Sequence, residues 1–163
     1  MIGKLVNRHE KIAYYGVETE NGTMFHRMRG FTKMETAKNP VEYARRYIDE
    51  SFEQTDVVAF SPSISFSFDR YNGNPVHDDI VSLADTEALG NDAVRSIVIA
   101  DMSTEKNGTC QAVLRAFSVV VDAEGNSTDA YTLSGTLRTK GEKQFGTACV
   151  SEDGETLEFT ANV

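Results

Sequence analysis

The sequence predicts a mainly β protein, a two-sheet sandwich or partial barrel with one flanking α-helix. Three observations predict it. Asn21-Gly22 sits between two short apolar runs, and Asn-Gly in that setting is a strong hairpin signal. Residues 63 to 68, "SISFSF", alternate strictly, as a half-buried strand must. Helical spacing of apolar residues, in contrast, is clear in one stretch alone, after Pro75. The length of 163 residues suits one domain, spanning 1–163, and 40% hydrophobic residues suffice for a core.

Taken in order, "KIAYYGVET" and "NGTMFHRMRGF" read as two strands turning at Glu20-Asn21-Gly22. The segment from Lys38 to Glu53 supports two readings. Asn39 as N-cap, Pro40 at the first helical position and Glu42 three residues on resemble a helix start, and Tyr43, Tyr47 and Ile48 could share a helical face. The same Pro, Tyr and Ile residues also suit an extended arm or edge strand, so a helix and a long arm over 38–56 both stand.

In "SISFSF", Ile64, Phe66 and Phe68 are expected to face the core, with Ser63, Ser65 and Ser67 facing out or toward another subunit. Val76, Ile80 and Leu83 then predict an amphipathic helix over about 77–89, with Asp78 and Asp79 near its positive end and Gly90 closing it. Residues 95–101 and 111–121 return to strand, followed by the turn-rich "DAEGNSTD" and by strands near 130–139, 143–150 and 155–161.

Function classes are narrowed mainly by exclusion. A net charge of −9 argues against a protein that grips nucleic-acid phosphates. The charge is uneven: residues 1 to 46 hold nine Lys and Arg against five acids, a net of +4, and the remainder carries −13. In a protein that stacks head to tail, such asymmetry would put opposite charges across a repeated contact. No apolar stretch approaches the roughly 20 residues of a membrane span, and "MIGKLVNRHEKIAYYG" has no signal-peptide core, so a soluble protein without a membrane partner is expected.

Cys110 and Cys149 lack ligand-like spacing, which makes a reduced pair the default, a disulfide the alternative, and a metal site unexpected. His9, His26 and His77 are scattered and carry no hydrolase, zinc or phosphate-loop motif, so each reads as a surface or structural histidine. Asp78, Asp79, Asp85 and Glu87 lack a calcium-loop pattern and read as solvated helix acids. "FDRYNGNPVHDD" has the composition of a sugar-binding loop, but turn chemistry accounts for it more economically. Neither catalytic residues, nor a cofactor, nor an enzyme activity is expected.

Four strings carry a resemblance: "RMRGFTKMETAKNPVEYARRYIDESFEQTDVV", "SPSISFSFDRYNGNPVHDDI", "ALGNDAVRSIVIADM" and "DAYTLSGTLRTKGEKQFGTA". Together they cover about two thirds of the chain and resemble the tail tube (major tail) proteins of long-tailed bacteriophages and of prophages of Gram-positive bacteria. The resemblance implies a virion tail subunit that self-assembles into stacked, hexameric rings around a DNA channel. It implies as partners other copies of the chain, a tape-measure protein and tail terminator or baseplate proteins, with DNA passing through unbound. It further implies that 43–56 forms an inter-ring arm and that "VVAFSPSISFSF" runs into the inner sheet. An acidic lining would repel passing DNA, so Asp49, Glu50, Glu53 and Asp56 are the lumen-facing candidates. Arg45, Arg46, Tyr43 and Tyr47 are the candidates for inter-ring or inter-subunit contact. The alternatives are another virion protein of related fold, a tail terminator or capsid decoration protein, and, from a different class, a small hydrolase or sugar-binding domain.

Overall fold

The computed structural model describes residues 2–163. After a short 3-10 turn at Arg8–Glu10, the chain forms β1 (Lys11–Thr19), β2 (Gly22–Arg27), β3 (Phe31–Ala37), β4 (Pro40–Arg45), β5 (Gln54–Phe60) and β6 (Ser63–Asp69). Helix α1 (Pro75–Asp85) follows, then β7 (Val94–Lys106), β8 (Thr109–Glu124), β9 (Thr132–Thr139), β10 (Gln144–Val150) and β11 (Thr156–Ala161).

Strand pairing defines two joined layers. The order β10-β11-β2-β1-β7-β8 returns to its start because β10 also pairs with β8, so six strands close into a barrel. Strand β8 is long enough to serve two neighbours along one edge. Its first half, Cys110 to Leu114, pairs with β10, and its second half, Phe117 to Glu124, pairs with β9. From β9 the sheet continues through β6 to β3, leaving the barrel and forming the second layer of a sandwich. The expected sandwich or partial barrel is therefore a closed barrel with a sheet extending from it.

Two cores fill these layers, and adjacent residues of one strand serve both. Tyr14 points into the barrel with Val98, Ala100, Cys110, Ala112, Ala148 and Leu157. Small side chains dominate there because even eight strands leave room only for packed side chains, and six leave less. Tyr15 points the opposite way, into the sandwich core with Phe66, Phe68, Ile80, Ile97, Leu133 and Leu137. Ile64, Phe66 and Phe68 are buried, as their alternation predicts. Backbones approach closely at Gly135, where an added Cβ would meet the Val120 carbonyl at 2.0 Å. No side chain fits at that position.

The helix lies two residues earlier at its start, and four at its end, than the 77–89 expected. Asn74 caps it, its side chain accepting from the backbone of Val76 and His77, and Pro75 takes the first helical position. Gly90 does not close it. Glu87 adopts φ +52°, and bonds from Glu87 and Ala88 back to the carbonyls of Ala84 and Leu83 complete a Schellman-type end. Asp79 is not a solvated helix acid either. Its carboxylate accepts from the Tyr15 hydroxyl at 2.5 Å and from Arg95 Nε at 2.9 Å, which ties α1 to β1 and β7.

The strands at 95–101 and 111–121 are both longer than expected. They form one hairpin turning at Asn107-Gly108, where both residues have positive φ, 55° and 81°. That is the requirement of a type I′ turn, which right-twisted strands favour. β3 emerges as a strand of its own, separated from β2 by Met28 to Gly30. Both cysteines are free, Cys110 buried in the barrel and Cys149 exposed.

His77 is fully buried beneath α1 against Phe31, Phe68 and Tyr71. The Tyr71 backbone N–H donates to Nδ1 at 3.0 Å, so Nε2 carries the hydrogen and donates to the Arg29 carbonyl at 2.6 Å. Burial is the main cause holding its pKa below the ordinary histidine value. As pH falls the unfolded chain therefore binds its proton first, and the stability His77 contributes is complete above about pH 6.5 and lost as pH drops through the lower folded value. Urea unfolding should show His77→Gln less stable than the wild type by about 2 kcal/mol at pH 7.5. The gap should narrow as pH is lowered to 5.

Candidate assembly interface

One element stands apart from both cores. Strands β4 and β5 pair with each other alone, forming a separate two-stranded sheet with both outer edges open. The extended reading of 38–56 is thus the correct one, and the helix reading of this segment is not. The helix-like start fails because Asn39 adopts φ +47° and spends its side chain on the Ser61 carbonyl at 3.0 Å, across the root of the hairpin. From Lys38 to Ser61 every residue is exposed except Arg45, which is half-buried.

The composition of this arm does not match that exposure. Cross-strand register places Val41, Tyr43, Arg45, Asp56 and Ala59 on one face and Pro40, Glu42, Val57 and Phe60 on the other, with Val58 at a bulge. Both faces carry apolar side chains, and the tip adds Tyr47, Ile48 and Phe52, with Phe52 78% exposed. A lone hairpin is marginal in water, and a contiguous apolar surface of this kind marks an interaction site. Burying each large side chain would be worth roughly 1.5–3 kcal/mol.

The residues singled out in the sequence separate into two groups. Arg45 is held inside its own arm, paired with Asp56 at 2.6 Å and lying over the rings of Tyr43 and Tyr47. This cluster stiffens the hairpin where it meets its tip. Asp49, Glu50, Glu53 and Arg46 lie in the turn beyond it and form no ion pair with another side chain. Glu50 accepts from Gln54 at 2.6 Å.

A second feature was not anticipated from the sequence. An open groove of about 630 Å³ runs between the outer face of β1, β7 and β8 and the inner face of β3 and β6, on a floor that includes Ala13, Ile64, Ile97, Ile99 and Val113. Five cations, Arg8, Lys11, Lys38, Arg115 and Lys143, line it with the single carboxylate Glu35. Lys11 pairs with Asp101 at 3.2 Å, and among the described residues the other four pair with no carboxylate. Arg8 and Arg115 donate to backbone carbonyls. Desolvation, followed by the adjacent Lys38 ammonium and by Arg115, holds Lys143 below the ordinary lysine pKa. The cluster repels itself.

The described residues include no group of three or more His, Cys, Asp or Glu placed to hold a metal ion, and no helix long and apolar enough to cross a membrane. No protein-family model and no curated protein matches the chain. The fold has a solved counterpart. It is similar to a chain in the cryo-EM structure of the anti-feeding prophage baseplate, six-fold symmetrised, with a TM-score of 0.50 over 88% of this chain and 97% of that one. At 9% identity the likeness is one of fold.

Because the arm packs on nothing in its own subunit, the body should fold without it. Joining Asn39 to Ser61 through a short Gly-containing turn in place of 40–60 should leave the thermal midpoint within about 4 °C of the wild type, a change near 1 kcal/mol. Differential scanning calorimetry at low protein concentration checks this.

Proposed function

We propose that the chain is a structural subunit of a phage-derived particle, a tail tube protein that assembles into rings and stacks them through the arm. The observation that carries this reading is the β4–β5 hairpin, apolar on both faces, open on both edges and unsupported by its own body. Such an element is stabilised by a partner that pairs its edges and covers its faces. The outer edge of β3 is also unpaired, which gives the ring a second place to continue the sheet from copy to copy. The likeness in fold to a chain of a six-fold symmetric prophage baseplate supports a ring of the same order.

The role is mechanical and involves no catalytic step. A channel for DNA works better with acid than with base on its wall, since cations bind phosphates and release counterions, which slows passage. The net charge of −9 suits such a wall. Tape-measure and terminator or baseplate proteins are the partners that the tail tube reading adds, and the virion tail is the location.

The fold neighbour belongs to a baseplate, and this favours a second reading, a ring component that closes without growing. A heterologous contact whose rotation closes makes a ring, and a tube needs a second, ring-to-ring contact that repeats, so growth separates the two readings. Negative-stain electron microscopy with light scattering across a concentration series should reveal hollow tubes or stacked rings. Single rings that never lengthen would favour the baseplate reading. A monomer at every concentration would contradict both.

A further inference from the structure

We infer that the basic-rimmed groove is the receptor for the arm tip of another copy of the chain. The inference rests on the assembly reading and names the surface the arm engages. The two surfaces are complementary in both charge and polarity. The tip offers Asp49, Glu50 and Glu53, none paired with a cation and outnumbering the one Arg46 of the turn, around the exposed side chains of Ile48 and Phe52. The groove offers Arg8, Lys38, Arg115 and Lys143, none paired with a carboxylate, around an apolar floor. Its volume of about 630 Å³ has room for a pair of large side chains.

Other pairings fit less well. The arm cannot fill its own groove, because Lys38 and Pro62 line that groove at the root of the arm. Six residues in β4 at ~3.3 Å each put the tip about 20 Å away. The contact therefore joins one copy's tip to the next copy's root, which is heterologous and repeatable. The chain's own segment before β1 carries exposed Ile2 and Leu5, but Lys4 and Arg8 give it the same charge as the rim. A second hollow, beside the end of α1 and β8, contains Glu87, Asp122 and Glu124 with Lys140 alone against them, and would repel the tip. The assignment moves Asp49, Glu50 and Glu53 from the channel wall to a contact between copies.

Reversing charge on one side at a time tests the inference. Glu50→Lys with Glu53→Lys, and separately Lys38→Glu with Lys143→Glu, should each raise the concentration needed for assembly at least about tenfold, since like charges then meet across the contact. A chain carrying all four substitutions should assemble within about threefold of the wild type, because every contact again joins opposite charges. Circular dichroism confirms that each variant is folded. Carbodiimide cross-linking of assembled wild-type protein, mixed from light and 15N-labelled chains, gives an independent readout that requires no substitution. Amide links from Glu50 or Glu53 to Lys38 or Lys143 between light and heavy chains are expected. Reversals that assemble like the wild type, a folded quadruple variant that stays unassembled, or the absence of those cross-links would overturn the groove assignment and leave the assembly reading in place. A wild-type chain that is monomeric at every concentration removes both.

Discussion

The structure depends on one shared strand edge. β8 gives half of its edge to β10 and half to β9, and both the barrel and the sandwich follow from that division. Pairing with β10 closes six strands around a narrow interior in which Ala100, Cys110, Ala112 and Ala148 make room for Tyr14, Val98 and Leu157. Pairing with β9 carries β6 and β3 away from the barrel, opening the space that Phe66, Phe68, Leu133 and the apolar face of α1 fill. Asp79 then fixes the helix to the barrel wall through Tyr15 and Arg95. Where α1 does not reach, the space between the two layers remains open as the basic-rimmed groove.

This arrangement also explains why the arm is left out. β3 runs directly into β4 and β5 into β6, yet β3 and β6 pair with each other, so everything between them is extruded as a hairpin from their common end. The Asn39 to Ser61 bonds close its root, and the Arg45 cluster with Asp56, Tyr43 and Tyr47 organises the approach to its tip. A surface ion pair of this kind adds little stability. Its value is directional, since it keeps the hairpin extended while its apolar residues stay available. The body, with two cores of its own, draws nothing from the arm.

Local features were legible in the sequence where a residue type had one physical solution. The alternation of Ile64, Phe66 and Phe68 located a core strand, and Asn21-Gly22 located a turn. Asn107-Gly108 carried the same turn signal and would have joined two short strands into the long β7–β8 hairpin. Barrel closure was not legible, because it rests on pairing between residues 110–114 and 144–148, which no local pattern encodes. The end of the helix is not legible because Glu87 takes the left-handed position that glycine usually fills. The role of Asp79 is not legible because its partners, Tyr15 and Arg95, are remote in sequence. The arm is ambiguous in the sequence because its residues suit helix and strand equally, and what decides for the extended form, the pairing of 40–45 with 54–60 and the Asn39 to Ser61 bond, joins residues no local pattern connects. The uneven charge was visible from the start. It does not map onto the arm tip and the groove, since Arg115 and Lys143 of the groove lie in the acidic part and Arg46 of the tip in the basic part, so the gathering of acid at the tip and base around the groove is a property of the fold.

Hydrogen–deuterium exchange of the arm in dilute and in assembled protein tests the central claim most directly, namely that residues 40–60 lack a partner in the free subunit and gain one from another copy. Fast amide exchange in the free chain, followed by strong protection in rings or tubes while the barrel strands change little, is the predicted result. Equal protection of the arm in both states, or an arm that still exchanges freely in the assembly, would contradict it.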